Sequence, residues 1–364
     1  MTPVARQSQI SRPPRRRRRT AAAALLALTA ALLALAGCGA AQPAVTASAP
    51  AAGSSTAASV APEQAEVTLI MDWVPWVLDI PVDVAQERGF YADHGLTVHQ
   101  QVPAGATDVV KFVSTGKAQF GLYYAPDTLM GVDEGAPLLS VAALMSHAPV
   151  GMALAPGVHA KSPADLAGTT AGVVMVPSTR ASFETMLKTG GVDPSSVKVV
   201  DPGFDLVPPL LAGRYDSVAV TEFGELVQAD QMGQKLDYLD FRDWGTPDYA
   251  FLNVLTQKGF ADEDPNTVRA FVAATTEGLD WAVAHPDEAV ALYVKRHPEL
   301  DAGLLLALWT AATPSMAAAS GGHAAGWQDA ATWSQLNDWM VRAGLIKSPV
   351  DVSGAVTDDY LPAQ

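Results

Sequence analysis

Short apolar runs alternate with segments of helical spacing along the first part of the folded chain. The apolar runs predict β-strands at residues 67–71, 96–98, 120–124 and 138–145. The segments between them predict helices at residues 81–88, 107–114 and 127–134. Strands that alternate with helices in this way are typical of an α/β sheet.

A second unit with the same alternation follows between residues 148 and 250. Its predicted strands are 171–176, 197–200 and 217–220. Its predicted helices are 178–189 and 206–211. The apolar run at 251–256 predicts a strand that re-enters the first unit. Since so long a chain exceeds the usual size of one core, we expect two lobes. Lobe 1 is predicted at 66–147 and 251–364, and lobe 2 at 148–250.

The remainder of the chain is predicted to be helical and to pack on lobe 1. Helices are predicted at 265–285, 288–296, 303–312 and 327–343. In the last of these, helical spacing places on one face Trp333, Leu336, Trp339 and Met340. These tryptophans could stack on a cofactor, but a one-sided apolar face is typical of core packing, which we predict here.

The N-terminus has the pattern of an export signal. A run of basic residues that ends at Arg19 precedes an apolar stretch at 21–36, which is shorter than the roughly 20 residues that span a bilayer. The stretch ends in Leu35-Ala36-Gly37-Cys38, a sequence that resembles the bacterial lipobox. We therefore predict that residues 1–37 are a lipoprotein signal peptide, exported by either the Sec or the twin-arginine route.

Cys38 is the only cysteine in the 364 residues. It cannot form an intramolecular disulfide, and its position at the end of the apolar stretch predicts lipidation rather than a buried thiol. Residues 38–65, rich in Ala, Ser, Thr, Pro and Gly, predict a disordered tether. The expected location is the extracytoplasmic face of the cell membrane, with the protein held there by its lipid.

Charge and composition argue against several classes of function. The chain carries 23 basic and 38 acidic residues, and seven of the basic residues lie in the predicted leader. The acidic mature protein is poorly suited to nucleic acid, and its net charge disfavours anionic ligands. The seven histidines are scattered, and no HExxH, Walker A or G-x-S-x-G motif is present. We predict no metal, no cofactor and a monomeric state.

Motifs in a fixed order extend from residue 66 to residue 362. They include Asp72-Trp73-Val74-Pro75-Trp76, Glu87-Arg88-Gly89-Phe90-Tyr91, Gly203-Phe204-Asp205-Leu206-Val207-Pro208-Pro209 and Pro247-Asp248-Tyr249. In their order and spacing they resemble the NMT1/THI5-like solute-binding proteins, relatives of the alkanesulfonate and taurine receptors. The best-understood branch of that family binds pyrimidine precursors of thiamine.

The resemblance implies a periplasmic-binding-protein fold of type II, an α/β architecture of two lobes with C-terminal helices on the first lobe. It implies a small molecule held between the lobes for an ABC permease and ATPase complex. A thiamine pyrimidine precursor is the leading ligand, and an alkanesulfonate, taurine, a flavin or an amine are the alternatives. A sensor and a pyrimidine-synthesising enzyme use the same fold. The enzyme branch has a cysteine-rich motif that this chain lacks, so we predict that it is not an enzyme.

Candidate ligand contacts follow the predicted strand ends, where open α/β sheets bind ligands. Trp73 and Trp76 follow the first strand and could stack on a heteroaromatic ring or cover a cation, or pack at the hinge. Tyr124 and Asp127 follow the strand at 120–124, and Asp127 could instead cap its helix.

Lobe 2 and the second crossing supply the other candidates. Ser178 and Thr179 begin a helix whose free N–H groups suit an anion or a carbonyl oxygen, although Ser178 could simply be its N-cap. Glu222 and Phe223 follow the strand at 217–220, a position that commonly faces ligand in the family, and Glu222 could accept two N–H bonds. Tyr249 could contact ligand or line the hinge.

One departure from the family pattern concerns the residues after the Trp-x-Pro motif. Pyrimidine-binding relatives have an Asn-Thr-x-His-like stretch there, whereas this chain reads Trp76-Val77-Leu78-Asp79-Ile80. The histidine of that stretch is therefore absent from this chain, and Asp79 is present instead. Together with Glu222 it favours a ligand that carries a positive charge or several N–H donors.

Overall fold

The computed structural model describes residues 65–105, 108–203, 205–317 and 323–363. The predicted signal peptide, Cys38 and nearly all of the predicted tether lie outside the described residues, as do Thr107 of a predicted helix and Phe204 of the motif at 203–213. In the part of the chain that is described, no helix is long and apolar enough to cross a bilayer.

Five strands form the sheet of lobe 1: β1 (Ala65–Ile70), β2 (Leu96–Gln101), β3 (Phe120–Tyr123), β4 (Leu138–Met145) and β10 (Leu252–Gln257). Their spatial order is β2-β1-β3-β10-β4. Strand β1 runs parallel to β2 and β3, and β10 inserts antiparallel between β3 and β4. The predicted return of the chain to lobe 1 is therefore correct, and the returning strand lies inside the sheet rather than at its edge.

Five further strands form the sheet of lobe 2: β5 (Val150–Leu154), β6 (Thr170–Gly172), β7 (Lys198–Val200), β8 (Ser217–Thr221) and β9 (Tyr238–Asp240). Their order is β7-β6-β8-β5-β9, with β6 parallel to β7 and β8. Strand β5 is antiparallel to β8 and β9. Glycine is required at position 151 of β5, since a Cβ there would overlap the carbonyl of Leu239 in β9.

Twelve α-helices are present in the described residues. The first seven are α1 (Ile80–Arg88), α2 (Phe90–Asp93), α3 (Asp108–Ser114), α4 (Ala125–Asp133), α5 (Pro177–Thr189), α6 (Val207–Leu211) and α7 (Val227–Gln231). The last five are α8 (Lys258–Glu263), α9 (Pro265–Ala284), α10 (Pro286–Arg296), α11 (Ala302–Ala317) and α12 (Ala330–Ala343). The bounds of α9 and α10 follow from local chemistry. Asp264 accepts a hydrogen bond from Thr267 N and caps α9, and Pro286 begins α10, where the missing N–H of proline removes no helical hydrogen bond.

The core of lobe 1 lies between its sheet and helices α9 to α11. The ring of Phe271 in α9 stacks on Phe120 of β3 with 3.8 Å between the ring centroids. Tyr91 also stacks on Phe271. Trp309 of α11 is fully buried and donates its indole N–H to Ala282 O. The predicted face of α12 is also buried at all four positions, so core packing is confirmed for Trp333, Leu336, Trp339 and Met340.

Several predicted elements differ from the structure. The strand predicted at 171–176 spans only Thr170–Gly172, because the chain leaves the sheet before the Val176-Pro177 start of α5. The last helix begins at Ala330 rather than 327, since Asp329 is its N-cap and Gly326 forms a β-bridge with Ala143. Strands β5 and β9 and the single turn of α2 were not predicted.

Candidate functional site

The loops that carry the predicted site residues follow the carboxyl ends of parallel strands in both lobes. In lobe 1 these loops follow β1 and β3, and in lobe 2 they follow β6 and β8. Parallel neighbours end at the same edge of a sheet, so each lobe presents two adjacent loops. The chain crosses between the lobes after Met145 and again before Leu252.

Asp72 and Tyr124 form the centre of the lobe 1 side. Tyr124 Oη donates a hydrogen bond of 2.6 Å to Asp72 Oδ2, and Asp72 is only 3% exposed. Burial raises the pKa of Asp72 to about 6, against the opposing effect of the Tyr124 hydrogen bond. Sequence reasoning placed Asp72 within a motif but did not select it as a site residue. Its position directly after a buried strand was the available signal.

Asp127 lies in the first turn of α4, beside the same tyrosines. Burial raises its pKa to about 6, and its Oδ2 atom is buried without a hydrogen-bond partner. Its charge, after burial, contributes to the raised pKa of Tyr123 and of Tyr249. Asp127 is not the N-cap of its helix, because that position belongs to Tyr124. The structure therefore brings three predicted residues together: Tyr124, Asp127 and Tyr249.

Asp79 is buried and bonded within lobe 1. Its Oδ2 accepts the backbone N–H of Trp76 at 3.1 Å and the hydroxyl of Tyr293 at 3.4 Å, while Oδ1 has no partner. Burial, followed by repulsion from Asp72, raises the pKa of Asp79 well above its usual range. In this arrangement Asp79 holds the turn that presents Trp76, and its contact with a ligand stays a prediction.

The two predicted tryptophans occupy different environments. Trp73 is 37% exposed, whereas Trp76 is half-buried against the core of lobe 1. A Cβ at Gly224 of lobe 2 would lie 3.6 Å from Trp76 Cζ2, so this indole edge approaches the loop after β8. Trp76 thus reaches from lobe 1 toward lobe 2, while the loop that holds Trp73 remains open to solvent.

Phe223 makes the opposite connection, from lobe 2 into lobe 1. It lies in a π-helical turn at Glu222–Leu226, is 2% exposed and belongs to the core of lobe 1. Its ring meets Phe251 edge-on at 6.3 Å between centroids, and Phe251 lies 5.0 Å from Tyr124. Single π-helical turns often occur at functional sites. This turn places the ring of Phe223 against Phe251, which contacts Tyr124, the hydrogen-bond partner of Asp72.

Glu222, the neighbour of Phe223, is exposed and close to a cation that sequence reasoning missed. Its Oε2 lies 3.9 Å from Arg242 Nη2. Arg242 forks onto Asp240 through Nε and Nη2, and its Nη1 lies 4.0 Å from Asp248 Oδ1 at the second crossing. Arg242 therefore connects a predicted ligand contact with the hinge, and only the pairing of β9 with β5 places it there.

Ser178 and Thr179 lie in the first turn of α5. The N-cap of this helix is Val176, so the alternative that Ser178 is the N-cap is wrong. Pro177 has no N–H, and Arg180 N makes the first bond to Val176 O, which leaves the N–H groups of Ser178 and Thr179 without helical acceptors. The Ser178 side chain is buried. Thr179 and its backbone N–H stay predicted contacts for a ligand oxygen.

The side chains of this region can make hydrogen bonds and ring contacts with a small molecule. Lobe 1 supplies carboxylates at Asp72 and Asp127 beside the rings of Tyr123, Tyr124 and Phe251. Within the described ranges, no Lys or Arg pairs with either carboxylate, and no group of three or more His, Cys, Asp or Glu residues could hold a metal ion. The arrangement suits a flat molecule with N–H donors.

Known proteins resemble this chain over most of its length. The family model described as NMT1/THI5 like matches residues 79–289. The formylaminopyrimidine-binding protein of Halalkalibacterium halodurans is 27% identical over 300 residues, which cover 80% of this chain and 90% of that protein. The riboflavin-binding protein RibY of Chloroflexus aurantiacus is 25% identical, with 89% of this chain and 93% of that protein covered.

Relatives of other activity and solved structures also match. The 4-amino-5-hydroxymethyl-2-methylpyrimidine phosphate synthase of Legionella pneumophila is 21% identical over 82% of this chain and 93% of that protein. The alkanesulfonate-binding protein SsuA from Xanthomonas axonopodis pv. citri has a TM-score of 0.62 at 13% identity, with 82% of this chain and 99% of that chain covered. At this identity the likeness concerns the fold alone, and it confirms the predicted two-lobe periplasmic-binding-protein architecture.

Proposed function

Since this chain belongs to the NMT1/THI5-like family, we propose that it is an extracytoplasmic solute-binding receptor that captures a small nitrogenous heterocycle for an ABC importer. The observation that carries the proposal is a pair of carboxylates set among aromatic rings: Asp72, which is buried, and Asp127, which is half-buried with its Oδ2 atom buried and unpartnered. A ligand that brings N–H donors would replace the water that these groups lose on burial.

An aminopyrimidine fits this site better than a sulfonate does. An exocyclic amine and a ring N–H could donate to Asp72, Asp127 or Glu222, and the flat ring could lie against Tyr124 or Trp76. A sulfonate would place its negative charge beside two carboxylates that no described cation neutralises. The names of the formylaminopyrimidine-binding and riboflavin-binding relatives support a nitrogen heterocycle.

Binding without catalysis is the second part of the proposal. The synthase relatives keep the enzyme class open, but the cysteine-rich motif of the enzyme branch is missing from this chain, whose single cysteine is Cys38. Incubation with pyridoxal phosphate and iron tests the point by mass spectrometry. An unchanged protein mass is expected, and a mass loss at a histidine would show synthase chemistry.

Titration calorimetry of the purified protein with three probes tests the ligand class. The probes are 4-amino-5-hydroxymethyl-2-methylpyrimidine, riboflavin and taurine. We expect the pyrimidine to bind with a Kd on the order of micromolar. Asp72→Asn and Asp127→Asn should each weaken it at least about tenfold, because each loses a charge-assisted acceptor. Asp262→Asn changes an exposed carboxylate on α8 and serves as the matched control. Tight binding of taurine alone, unaffected by either cleft variant, would contradict the proposal.

Membrane attachment through Cys38 and delivery to a permease and ATPase complex complete the proposed role. Cys38→Ser should move the protein from the membrane fraction to the medium or periplasm, without changing ligand affinity. Retention of the variant in the membrane would argue against lipidation. Uptake of labelled ligand that requires this protein would support import, and ligand-dependent gene expression without uptake would indicate a sensor.

A further inference from the structure

A cavity lies at the hinge, and its lining residues are not those of the loops described above. Its volume is about 210 Å³. Both interlobe crossings contribute to its wall, through Ser146 and His147 on the first and Asp248 on the second. The remaining wall comes from the segment before and within the first turn of α12, including Trp327 and Trp333.

The topology separates this cavity from the proposed cleft. The cleft loops follow β1 and β3, whereas the cavity lies beside β4 at the far edge of the sheet, where Gly326 bridges Ala143. None of the ten predicted site residues lines it. Tyr249 is flanked by two lining residues, and burial raises its pKa together with the charges of Asp127 in lobe 1 and Asp248 in the cavity wall.

The cavity has the size and the walls for one aromatic ring. A cavity of about 150 Å³ lined by apolar side chains is enough to hold benzene, so 210 Å³ leaves room for a ring with one substituent. Trp327 and Trp333 provide aromatic surface, and the outer face of Trp327 is covered by His323 at 4.0 Å between parallel rings. An aromatic guest would extend this stack.

The polar lining is acidic. Asp329 accepts hydrogen bonds from Ala331 N and Thr332 Oγ1 and pairs with no cationic side chain among the described residues. Asp248 is shared between His147, the backbone N–H of Ala148 and the distant Arg242. Two carboxylates beside tryptophan rings favour a cation, which gains from both charge and ring contacts.

Two polar groups in the same wall have no partner. The indole N–H of Trp333 and the hydroxyl of Ser146 are both buried and make no hydrogen bond in the described structure. Groups left in that state destabilise the folded protein, because they lose water without gaining another partner. A rearrangement of the wall around an occupant would give them partners, and it would act directly on the crossings that set the lobe orientation.

From these observations we propose that the hinge cavity is a second binding site, for a single aromatic ring that carries a cationic N–H donor group. The amidinium or ammonium of such a ligand would meet Asp329 and Asp248, and its ring would lie against Trp327 and Trp333. This site is independent of the ligand identity proposed for the cleft.

Benzamidine is the probe that tests the site, with the neutral isostere benzamide and the anion benzoate as matched ligands. Binding is followed through the ¹⁵N–¹H signals of the tryptophan indoles, with the Trp333 signal assigned from Trp333→Phe. We expect saturable shifts of the Trp327 and Trp333 signals with benzamidine. Benzamide should bind at least tenfold more weakly, and benzoate should give no shift.

Asp329→Asn is the decisive variant. Asparagine caps helices as well as aspartate does, so α12 should keep its stability while the cavity loses a charge. Benzamidine affinity should fall at least fivefold with an unchanged Tm. Asp262→Asn, which changes an exposed carboxylate on α8 outside the cavity wall, should leave the hinge affinity unchanged. The proposal is overturned if Asp329→Asn binds benzamidine normally, or if only Trp73 and Trp76 signals shift and Glu222→Gln abolishes the effect.

Discussion

At the scale of single residues, the buried carboxylates of lobe 1 divide into two kinds. Asp83 is fully buried but receives Gln100 Nε2 and His297 Nε2 at 2.8 Å each and lies 3.2 Å from Arg296 Nε. Asp127 is half-buried, and its Oδ2 atom is buried with no hydrogen-bond partner and no such cation. Asp83 therefore has the partners of a structural residue, whereas Asp127 retains the unmet hydrogen-bonding capacity that a ligand site requires.

Asp127→Asn is expected to stabilise the protein at neutral pH. The folded-state pKa of about 6 lies above the unfolded value of 3.8, so the unfolded chain releases this proton first. The contribution of Asp127 to stability is thus present below pH 4 and is lost as the pH rises through 6. Urea unfolding should show the variant equal to the parent at pH 4 and more stable at pH 7.5, by on the order of 2 kcal/mol.

The exposed substitution Asp262→Asn is the control for this titration, since it removes a carboxylate that pays no burial penalty. The difference in the free energy of unfolding between pH 4 and pH 7.5 should be the same for Asp262→Asn as for the parent protein. A less stable Asp127→Asn protein at pH 7.5 would mean that the carboxylate has a partner that the unfolded chain lacks.

At the scale of elements, helices α1 and α9 approach so closely that their contact depends on one glycine. A Cβ at Gly278 of α9 would overlap Pro81 O and lie 2.9 Å from Ala85 Cβ, both on α1. Helix α1 directly follows the loop that carries Trp76 and Asp79. The spacing of α1 and α9 therefore supports the position of that loop.

Gly278→Ala should destabilise the protein by about 1–3 kcal/mol, because the added methyl group forces α1 and α9 apart. Helix propensity alone predicts the opposite sign, a gain of up to about 1 kcal/mol. Gly303→Ala in the exposed first turn of α11 is the matched control, and it should be neutral or stabilising. Denaturant unfolding measures both variants. Equal effects at the two positions would refute the close contact.

At the scale of the whole molecule, a few side chains connect the two lobes. Phe223 enters the core of lobe 1 from lobe 2, and Trp339 of α12 donates its indole N–H to Thr185 of α5 at 3.2 Å. Ligand-driven closure requires that such contacts favour one lobe orientation over another. We expect Phe223 to favour the closed orientation more than the Trp339 hydrogen bond does, because its whole phenyl ring is removed from water when it packs into lobe 1.

Phe223→Ala should shift the protein toward an open arrangement. Removal of a buried phenyl ring destabilises the packing around it by about 3–5 kcal/mol. Because Phe223 packs between the lobes, we expect this loss to destabilise the closed arrangement more than the core of either lobe. Small-angle scattering without ligand should show a larger radius of gyration, and pyrimidine affinity should fall several-fold. Phe112→Ala removes a ring that packs within lobe 1 alone and should leave the radius unchanged. An unchanged radius for Phe223→Ala would show that the lobes are held by other contacts.

Much of the architecture could be predicted because it depends on local patterns. The spacing of apolar residues predicts the buried strands β4 and β10 and the one-sided apolar faces of α9 and α12. This spacing predicts each element whichever neighbour the element packs against. Strand β5 was missed because its residues Val150–Leu154 include glycine and alanine, which lack a strong strand preference. Its identity depends on pairing with β8 and β9.

The candidate site was predicted less completely than the fold. Position after a strand end selected Tyr124, Asp127 and Glu222 as candidates, since the carboxyl edge of a sheet is a general binding location, and their contact with a ligand stays a prediction. The same rule could have selected Asp72. No local rule could have selected Arg242, which lies in the turn after β9, or shown that Asp79 bonds to Trp76 N and Tyr293. Those facts depend on contacts between residues far apart in the chain.

The sequence by itself determined the excess of acidic residues, and its patterns predicted alternating strands and helices in two units and a signal peptide at residues 1–37, which stays a prediction. These properties are local, because charge, apolar length and periodicity are read from neighbouring residues. Only the tertiary structure decided which carboxylates lose water without gaining a cation, that Phe223 joins the other lobe, and that Trp327 and Asp329 enclose a cavity with the hinge. The burial of a side chain and its pairing with another arise only when segments that are distant in the sequence come together, so they are not defined before the chain folds.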